Sequence, residues 1–355
     1  MTRLRFAVLG TGAIVRKAHL PALRADSRVD VAVLMGRDID RTNALAREFA
    51  IPTVAQSLDE VFSDGRIDAV VVALPNFLHR QAADAAIQAG VHILMEKPLA
   101  ASIFDARAMV ASAREAGISF AVNLPQRFRP SMIQMKEAIA NRAIGSIESI
   151  EIRLVRRSGI PGYGTWFTRR ALSGGGVLAD LGPHVIDLAL WLAGDPSAEV
   201  ETSHIWGSHG SRGKGLGDWT ASQVVSEPAL QFDVEDRARF SLTAASGALI
   251  NGEVAWAYAG ADENRVSVVG SHGGFDYFPE AQDAEWPLVF VDSSLHATRL
   301  PVKADHADLT PAWMRCTADF VDGIVTNRPA DGQAALSVEE LIRQLYAQHP
   351  AFADR

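Results

Sequence analysis

Leu4-Arg5-Phe6-Ala7-Val8-Leu9-Gly10-Thr11-Gly12-Ala13-Ile14-Val15 lies near the start of the chain and decides the reading of its first domain. A short apolar run, Leu4 to Leu9, ends at Gly10, and a helical pattern follows from Ala13 to Arg24. Strand, glycine turn and helix in that order are the context that gives a Gly-x-Gly pair meaning. The first glycine allows the tight turn, the second lets backbone approach a pyrophosphate, and the helix N-terminus offers N–H groups to the anion. Gly10, Gly12, Ala13 and Ile14 are thereby assigned to dinucleotide binding. Val15 takes the place of the third glycine of this turn, a position that packs helix against sheet, so the exchange bears on packing more than on phosphate contact. Arg3 and Arg5 ahead of an apolar run superficially resemble a secretion signal. The glycines, and Arg16-Lys17 directly after, favour a buried strand and turn.

Outward from the turn the alternation continues. Val29 to Met35 reads as a strand and Asp40 to Phe49 as an amphipathic helix. Ile67 to Leu74 holds Val70-Val71-Val72, a β-branched run suited to a strand buried on both faces. Helices follow at Phe77 to Ala89 and Ser102 to Ala116, stopped by Gly90 and Gly117, with strands at Val91 to Met95 and Ile118 to Val122. Strands alternating with helices predict an α/β Rossmann domain, a doubly wound parallel sheet, over residues 1–123.

Beyond Asn123 the pattern changes. Ile147 to Val155, Val200 to Trp206, Ala238 to Thr243, Ala248 to Trp256, Arg265 to Val269 and Leu288 to Val291 read as strands without regular helices between them. Several alternate apolar and polar residues, which predicts an open-faced, mostly antiparallel sheet in an α+β domain over residues 124–355. Helical patterns return at Ala312 to Val325 and Val338 to Ala347, and Gly207 to Gly217, with five glycines, reads as a loop. Tryptophans such as Trp206 and Trp256 on a half-exposed sheet predict a cover for its outer face, hence a homo-oligomer.

The 355 residues are 48% apolar and 21% charged, with a net charge of -8. This composition suits two globular domains and gives no electrostatic case for holding nucleic acid or an anionic membrane surface. No apolar stretch is read as approaching the ~20 residues of a membrane helix. Cys316 is the single cysteine, so no intramolecular disulfide forms, and a reducing, cytoplasmic setting is expected. No metal site is expected.

At the end of the second strand an acidic residue would bond the 2′-hydroxyl of NAD. This chain has Met35-Gly36-Arg37-Asp38 there. Gly36 lacks the acid and Arg37 suits a 2′-phosphate, which favours NADP; in the other reading Arg37 is solvated and Asp38 serves NAD.

Three further signatures accumulate: Leu74-Pro75-Asn76 with His79 three residues on, Glu96-Lys97-Pro98, and Gly174-Gly175-Gly176-Val177-Leu178-Ala179-Asp180-Leu181-Gly182-Pro183-His184 followed by Asp187. With the glycine turn, His19-Leu20-Pro21, Val234-Glu235-Asp236 and Trp191-Leu192-x-Gly194, this set resembles the glucose–fructose oxidoreductase/inositol dehydrogenase (Gfo/Idh/MocA) family over nearly the whole chain. The resemblance implies a Rossmann domain followed by an open-faced sheet domain, with Lys97, Asp180 and His184 as the catalytic group. It implies cofactor contacts from Leu74, Pro75, Asn76, His79, Glu96 and Lys97, sugar or cyclitol substrates, and homodimers or homotetramers. Val15 and Pro183 depart from the family pattern.

These residues suit the chemistry. Oxidising a secondary alcohol needs a base for the hydroxyl proton, and the reverse needs an acid there; histidine serves both near neutrality. Asp180 and His184 are four apart, so on a helix they share a face. Lys97 follows a strand on the ligand-binding edge of the sheet and can steady alkoxide character. In the structural alternative Asp180 is the N-cap of a helix running to Ala193, with Pro183 in its first turn. Arg127, Tyr163, Trp166 and Arg169 are candidate substrate contacts, with core or interface packing as the alternative for Tyr163 and Trp166. The leading reading is an NAD(P)-dependent oxidoreductase acting on a sugar, amino sugar or cyclitol. An NAD-dependent glycosidase with transient internal redox and a non-catalytic NADP-binding regulator are the competing ones.

Overall fold

The computed structural model describes residues 3–63, 65–217, 232–279, 286–302 and 309–352. It divides into two compact units: Met1–Asn123 with Trp313–Leu336, and Leu124–Ala312 with Ser337–Arg355.

The first unit is built on β1 (Leu4–Leu9), β2 (Val29–Met35), β3 (Thr53–Ala55), β4 (Ala69–Val72), β5 (His92–Met95) and β6 (Phe120–Val122). All neighbours pair parallel, in the order β3-β2-β1-β4-β5-β6. Between them run α1 (Leu20–Ala25), α2 (Ile39–Glu48), α3 (Leu58–Phe62), α4 (His79–Gln88) and α5 (Ile103–Glu115). This is the doubly wound order, and its switch point lies between β1 and β4, the crevice where such sheets bind ligands. Val8 and Val71 fill one face of the sheet with Val15, Leu20 and Leu23, while Ala7 and Val70 fill the other with Ala82 and Ala86. Val15 therefore packs helix against sheet, as expected of its position.

The second unit opens with α6 (Pro130–Ala140), β7 (Ile147–Val155), α7 (Arg170–Ser173) and α8 (Val177–Ala193). It continues through β8 (Ala198–Trp206), β9 (Arg237–Ala244), β10 (Leu249–Ala255), β11 (Glu263–Gly270), β12 (Gly273–Tyr277), β13 (Leu288–Val291) and β14 (Ala297–Leu300). The eight strands order as β14-β13-β12-β11-β7-β10-β9-β8, antiparallel throughout except for β10 against β7. α8 covers one face. The other carries a charged ladder, Arg237–Glu253–Arg153–Glu263, with links of 2.6, 3.1 and 2.8 Å. Trp206 stands on that outer face under the Arg237 guanidinium. Trp256 does not: it is 1% exposed and sits in the core, which corrects its assignment to the outer face.

The last helices, α9 (Thr310–Val325) and α10 (Gln333–Ala347), depart from the 124–355 division. Phe320 and Val321 of α9 pack in the first unit's core, and Phe120 N donates to Ala330 O at 2.8 Å. These contacts place Trp313–Leu336 with the first unit, because an edge strand as short as β6 gains its outer hydrogen bonds from this returning segment.

The helical run Arg170–Ala193 has the length and mean hydropathy (1.3) of a membrane span, unlike the sequence expectation, but 78% of its most apolar stretch is buried inside the protein. A helix apolar nearly all round is what a core position demands.

Candidate active site

In the first unit, Gly10 holds a φ of +119°, and a Cβ there would lie 2.3 Å from the Ala73 carbonyl oxygen. Only glycine lets the end of β1 approach the end of β4 this closely. A Cβ on Gly12 would meet nothing within 4 Å, so the turn has room for a pyrophosphate beside the start of the helix. Ala13 and Ile14 open that helix and are half-buried. Its middle, Val15–His19, widens to π-helical spacing, with Leu20 N donating to Val15 O ahead of Pro21, which has no N–H to give.

Gly36 is packed closely. A Cβ there would stand 2.4 Å from Thr42 Oγ1 and 2.7 Å from Thr11 Cγ2, so an acidic side chain has no room. Asp38 caps α2, accepting from Arg41 N at 3.1 Å. Arg37 is exposed, and its guanidinium has no hydrogen bond or ion pair among the described residues.

Leu74 and Pro75 are half-buried beyond β4, and Asn76 is buried. His79 and Glu96, expected as cofactor contacts, are turned inward and support the loops instead. His79 is fully buried, with Nε2 2.9 Å from Leu74 O and Nδ1 3.0 Å from Pro98 O. Burial pushes its pKa below the ordinary value, and a neutral ring has one N–H to give to these carbonyls. Glu96 accepts from Asn123 Nδ2 at 2.7 Å, lies 2.8 Å from His19 Nε2, and accepts from Lys97 N at 3.2 Å. Burial opposes its charge, but the His19 bond, the attraction of His19 and Lys97, and the Asn123 amide hold it down at about 2. Lys97 itself is half-buried at the mouth of this loop.

In the second unit, α8 has its N-cap at Gly176, so Asp180 is inside the helix and Pro183 is past the first turn. This corrects the reading of Asp180 as N-cap. The cap comes from across the fold: the Glu235 carboxylate accepts from Gly176 N and Leu178 N, both at 2.9 Å, and from the Tyr346 hydroxyl at 2.7 Å. The glycine triplet makes room for it. A Cβ on Gly176 would lie 2.0 Å from Glu235 O, and one on Gly175 2.1 Å from the Tyr346 hydroxyl.

Every residue of α8 is buried except Asp180, His184, Trp191 and Ala193. Asp180 and His184 thus stand half-buried one turn apart on a mostly apolar helix whose other charged residue, Asp187, is buried. Trp256 Nε1, just past β10, donates to Asp180 Oδ2 at 2.9 Å. Arg157 and Asp262, just past β7 and just before β11, pair at this same sheet edge through Arg157 N and Asp262 Oδ1 at 2.7 Å. Asp180 therefore lies at the carboxyl end of the parallel β7–β10 pair.

Of the remaining candidates, Arg127 forms a two-pronged ion pair with the buried Asp187, whose pKa is raised by burial against the pull of Arg127. Tyr163 is 3% exposed, packs on Phe232, and donates to Lys214 O. Its ring is a core residue, not a platform for a sugar. Trp166 stacks on Phe167 at 3.7 Å and is half-buried, and Arg169 is exposed. The sequence reading placed Trp256 on the outer face and did not single out Tyr346. The strand's period of two gave a signal for the first, since Ile250, Gly252, Val254 and Trp256 share the core face.

A doubly wound parallel sheet with a Gly10–Gly12 turn, and a second domain built on a mostly antiparallel sheet, are the architecture of a two-domain dinucleotide-binding protein. Residues 4–124 match the oxidoreductase family with an NAD-binding Rossmann fold, and residues 132–276 match the GFO/IDH/MocA C-terminal domain. The chain belongs to the Gfo/Idh/MocA family. The D-glucoside 3-dehydrogenase of Escherichia coli (strain K12) is 29% identical over 235 residues, 65% of this chain and 66% of that one. The 1,5-anhydro-D-fructose reductase of Ensifer adhaerens is 37% identical over 202 residues, 56% of this chain and 60% of that one. The chain thus matches just under two thirds of the length of these two relatives. The structure of GenD2 from gentamicin A biosynthesis, in complex with NAD, is 27% identical with a TM-score of 0.75, covering 99% of this chain and 95% of that one.

Proposed function

We propose that this protein is an NADP-dependent dehydrogenase or reductase acting on a secondary hydroxyl or ketone of a sugar, amino sugar or cyclitol. The observation that carries the reading is the placement of Asp180 and His184 one turn apart on α8, both half-buried on a helix whose other residues are buried except Trp191 and Ala193. A nicotinamide cofactor held over Gly10 and Gly12 would supply the hydride acceptor or donor. His184 takes the hydroxyl proton in oxidation and returns one in reduction. Asp180 stabilises the charged imidazole. Lys97 bonds the reacting oxygen and steadies its developing charge. Gly10 and Gly12 admit the pyrophosphate, and Glu96 and His79 hold the loops that carry Lys97 and Asn76.

NADP rather than NAD is supported by the closed space at Gly36, the capping duty of Asp38, and the exposed Arg37. The net charge of -8 and the single cysteine support a reducing, cytoplasmic setting and a small-molecule partner.

Absorbance at the reduced-nicotinamide band tests the reading, with NADP or NADPH and a panel of myo-inositol, D-glucose, D-xylose, methyl β-D-glucoside and 1,5-anhydro-D-fructose. Net cofactor turnover on a panel member supports it. Cleavage of the glucoside with no net reduced cofactor would move the chain to the glycosidase reading.

A further inference from the structure

Trp256 is 1% exposed, and its single side-chain donor is spent on Asp180. A buried indole N–H needs an acceptor, and a carboxylate makes the bond charge-assisted. The donor is also held fast. Trp256 N donates to Asp236 O at 2.9 Å, Gly159 N donates to Trp256 O at 2.7 Å, and the ring is enclosed in the core under α8. A donor fixed this way cannot follow a rotating carboxylate, so the carboxylate stays with the donor. A hydrogen bond to the ionised form also favours ionisation.

We propose that Trp256 is the positioning residue of the proton-transfer pair: its N–H orients the Asp180 carboxylate, keeps it ionised, and so sets the proton affinity of His184 one turn along the helix. The inference rests on the role given above to Asp180 and His184. The arrangement has the logic of a carboxylate–histidine pair tuned from behind by a fixed donor. Phenylalanine at this position keeps the aromatic ring and loses only the donor and part of the volume.

The test is a double-mutant cycle of Trp256→Phe and Asp180→Asn in the full-length protein, with NADP(H) and the panel compound turned over fastest. Trp256→Phe is expected to lower kcat about 10-fold with KM little changed, the scale of one hydrogen bond to a charged group. The acid limb of kcat/KM should move to higher pH, because Asp180 then protonates more readily. In the Asp180→Asn background the same change should do almost nothing further. An equal loss in both backgrounds, or an unmoved acid limb, overturns the role of Trp256 while leaving Asp180 in place. Unchanged turnover in Asp180→Asn overturns the reading of Asp180 itself.

Should the phenylalanine variant fail to fold, ¹⁵N-indole spectra of wild type and Asp180→Asn decide. One of the seven tryptophan N–H resonances should titrate with the acid limb in wild type and lose that titration in Asp180→Asn. An indole set that titrates identically in both proteins overturns the proposal.

Discussion

Tyr346, in the last helix, donates its hydroxyl to the Glu235 carboxylate at 2.7 Å, and the same carboxylate caps the N-terminus of α8. The chain's end is thereby tied to the helix that carries Asp180 and His184. Tyr346→Phe should cost about 1.5–3 kcal/mol where Glu235 is ionised, the range for hydrogen bonds to charged groups. Burial raises the Glu235 pKa above its ordinary value despite these donors, so its contribution to stability is complete below the ordinary carboxylate range and declines as pH rises through the raised value. Losing Tyr346 raises that pKa further, so the penalty should grow with pH. Urea unfolding and hydrogen exchange at the Leu178 amide, at acid and at neutral pH, check this; a penalty independent of pH would remove the ionic part of the account.

Glu96 shows the opposite sign. Its pKa is depressed from 4.5 to about 2, so its stabilisation is complete above the ordinary value and is lost as pH falls toward 2. The shift corresponds to about 3 kcal/mol at neutral pH. Glu96→Gln should destabilise the first unit at pH 7 and flatten the acid limb of its stability curve. Parallel acid limbs for the variant and wild type would show that Glu96 does not carry this dependence.

Arg37→Ala should weaken NADP(H) binding by about 1.5–3 kcal/mol, one charge-assisted contact to the 2′-phosphate, and leave NAD(H) little changed. Calorimetric titration of both cofactors reads this directly. Gly36→Asp should lower stability without a clean switch to NAD, because its Cβ meets Thr42 and Thr11. Tighter NAD binding by wild type would reverse the assignment.

The outer sheet face carries exposed Trp206, Leu249 and Val269 around the Arg237–Glu253–Arg153–Glu263 ladder. A face holding both charge signs and apolar side chains suits a symmetry-related copy of itself. Light scattering at micromolar concentration is expected to show a homodimer or homotetramer, and Leu249→Glu to weaken it. A wild-type monomer under those conditions would end the claim.

How far the sequence could be read depends on what sets each feature. Five strands of the first sheet were legible because they are near-continuous apolar runs, as Val70-Val71-Val72 shows, whereas the three-residue edge strand β3 was too short to be read. β12 was not, since Gly273 and Gly274 look like a turn. They are glycines because a Cβ would meet Val291 O at 2.4 Å and Val268 O at 2.8 Å, a fact about neighbouring strands. Asp180 and His184 were legible by their spacing. The residues that hold them were not: Trp256 and Asp180 stand 76 positions apart and Tyr346 and Glu235 111, and such partners are fixed only by packing. His79 and Glu96 were expected as cofactor contacts, and their burial, which sequence does not reveal, makes their side chains supports of the loops.

If His184 exchanges the substrate proton, His184→Ala should leave NADP(H) affinity nearly unchanged and lower turnover by about 10²–10⁴-fold, the usual share of general acid–base catalysis. Asp180→Asn should also slow turnover, because it removes the charge that stabilises the imidazolium while keeping an acceptor for the Trp256 N–H. The two changes should combine to less than the sum of their separate effects, since coupled groups act as a unit. Lys97→Ala differs in kind: it should impair both cofactor binding and turnover. Single-turnover hydride transfer with the best panel compound isolates the step, with circular dichroism to show that each variant is folded. A folded His184→Ala protein transferring hydride at the wild-type rate would take His184 out of the mechanism and leave Lys97 as the next proton carrier to test.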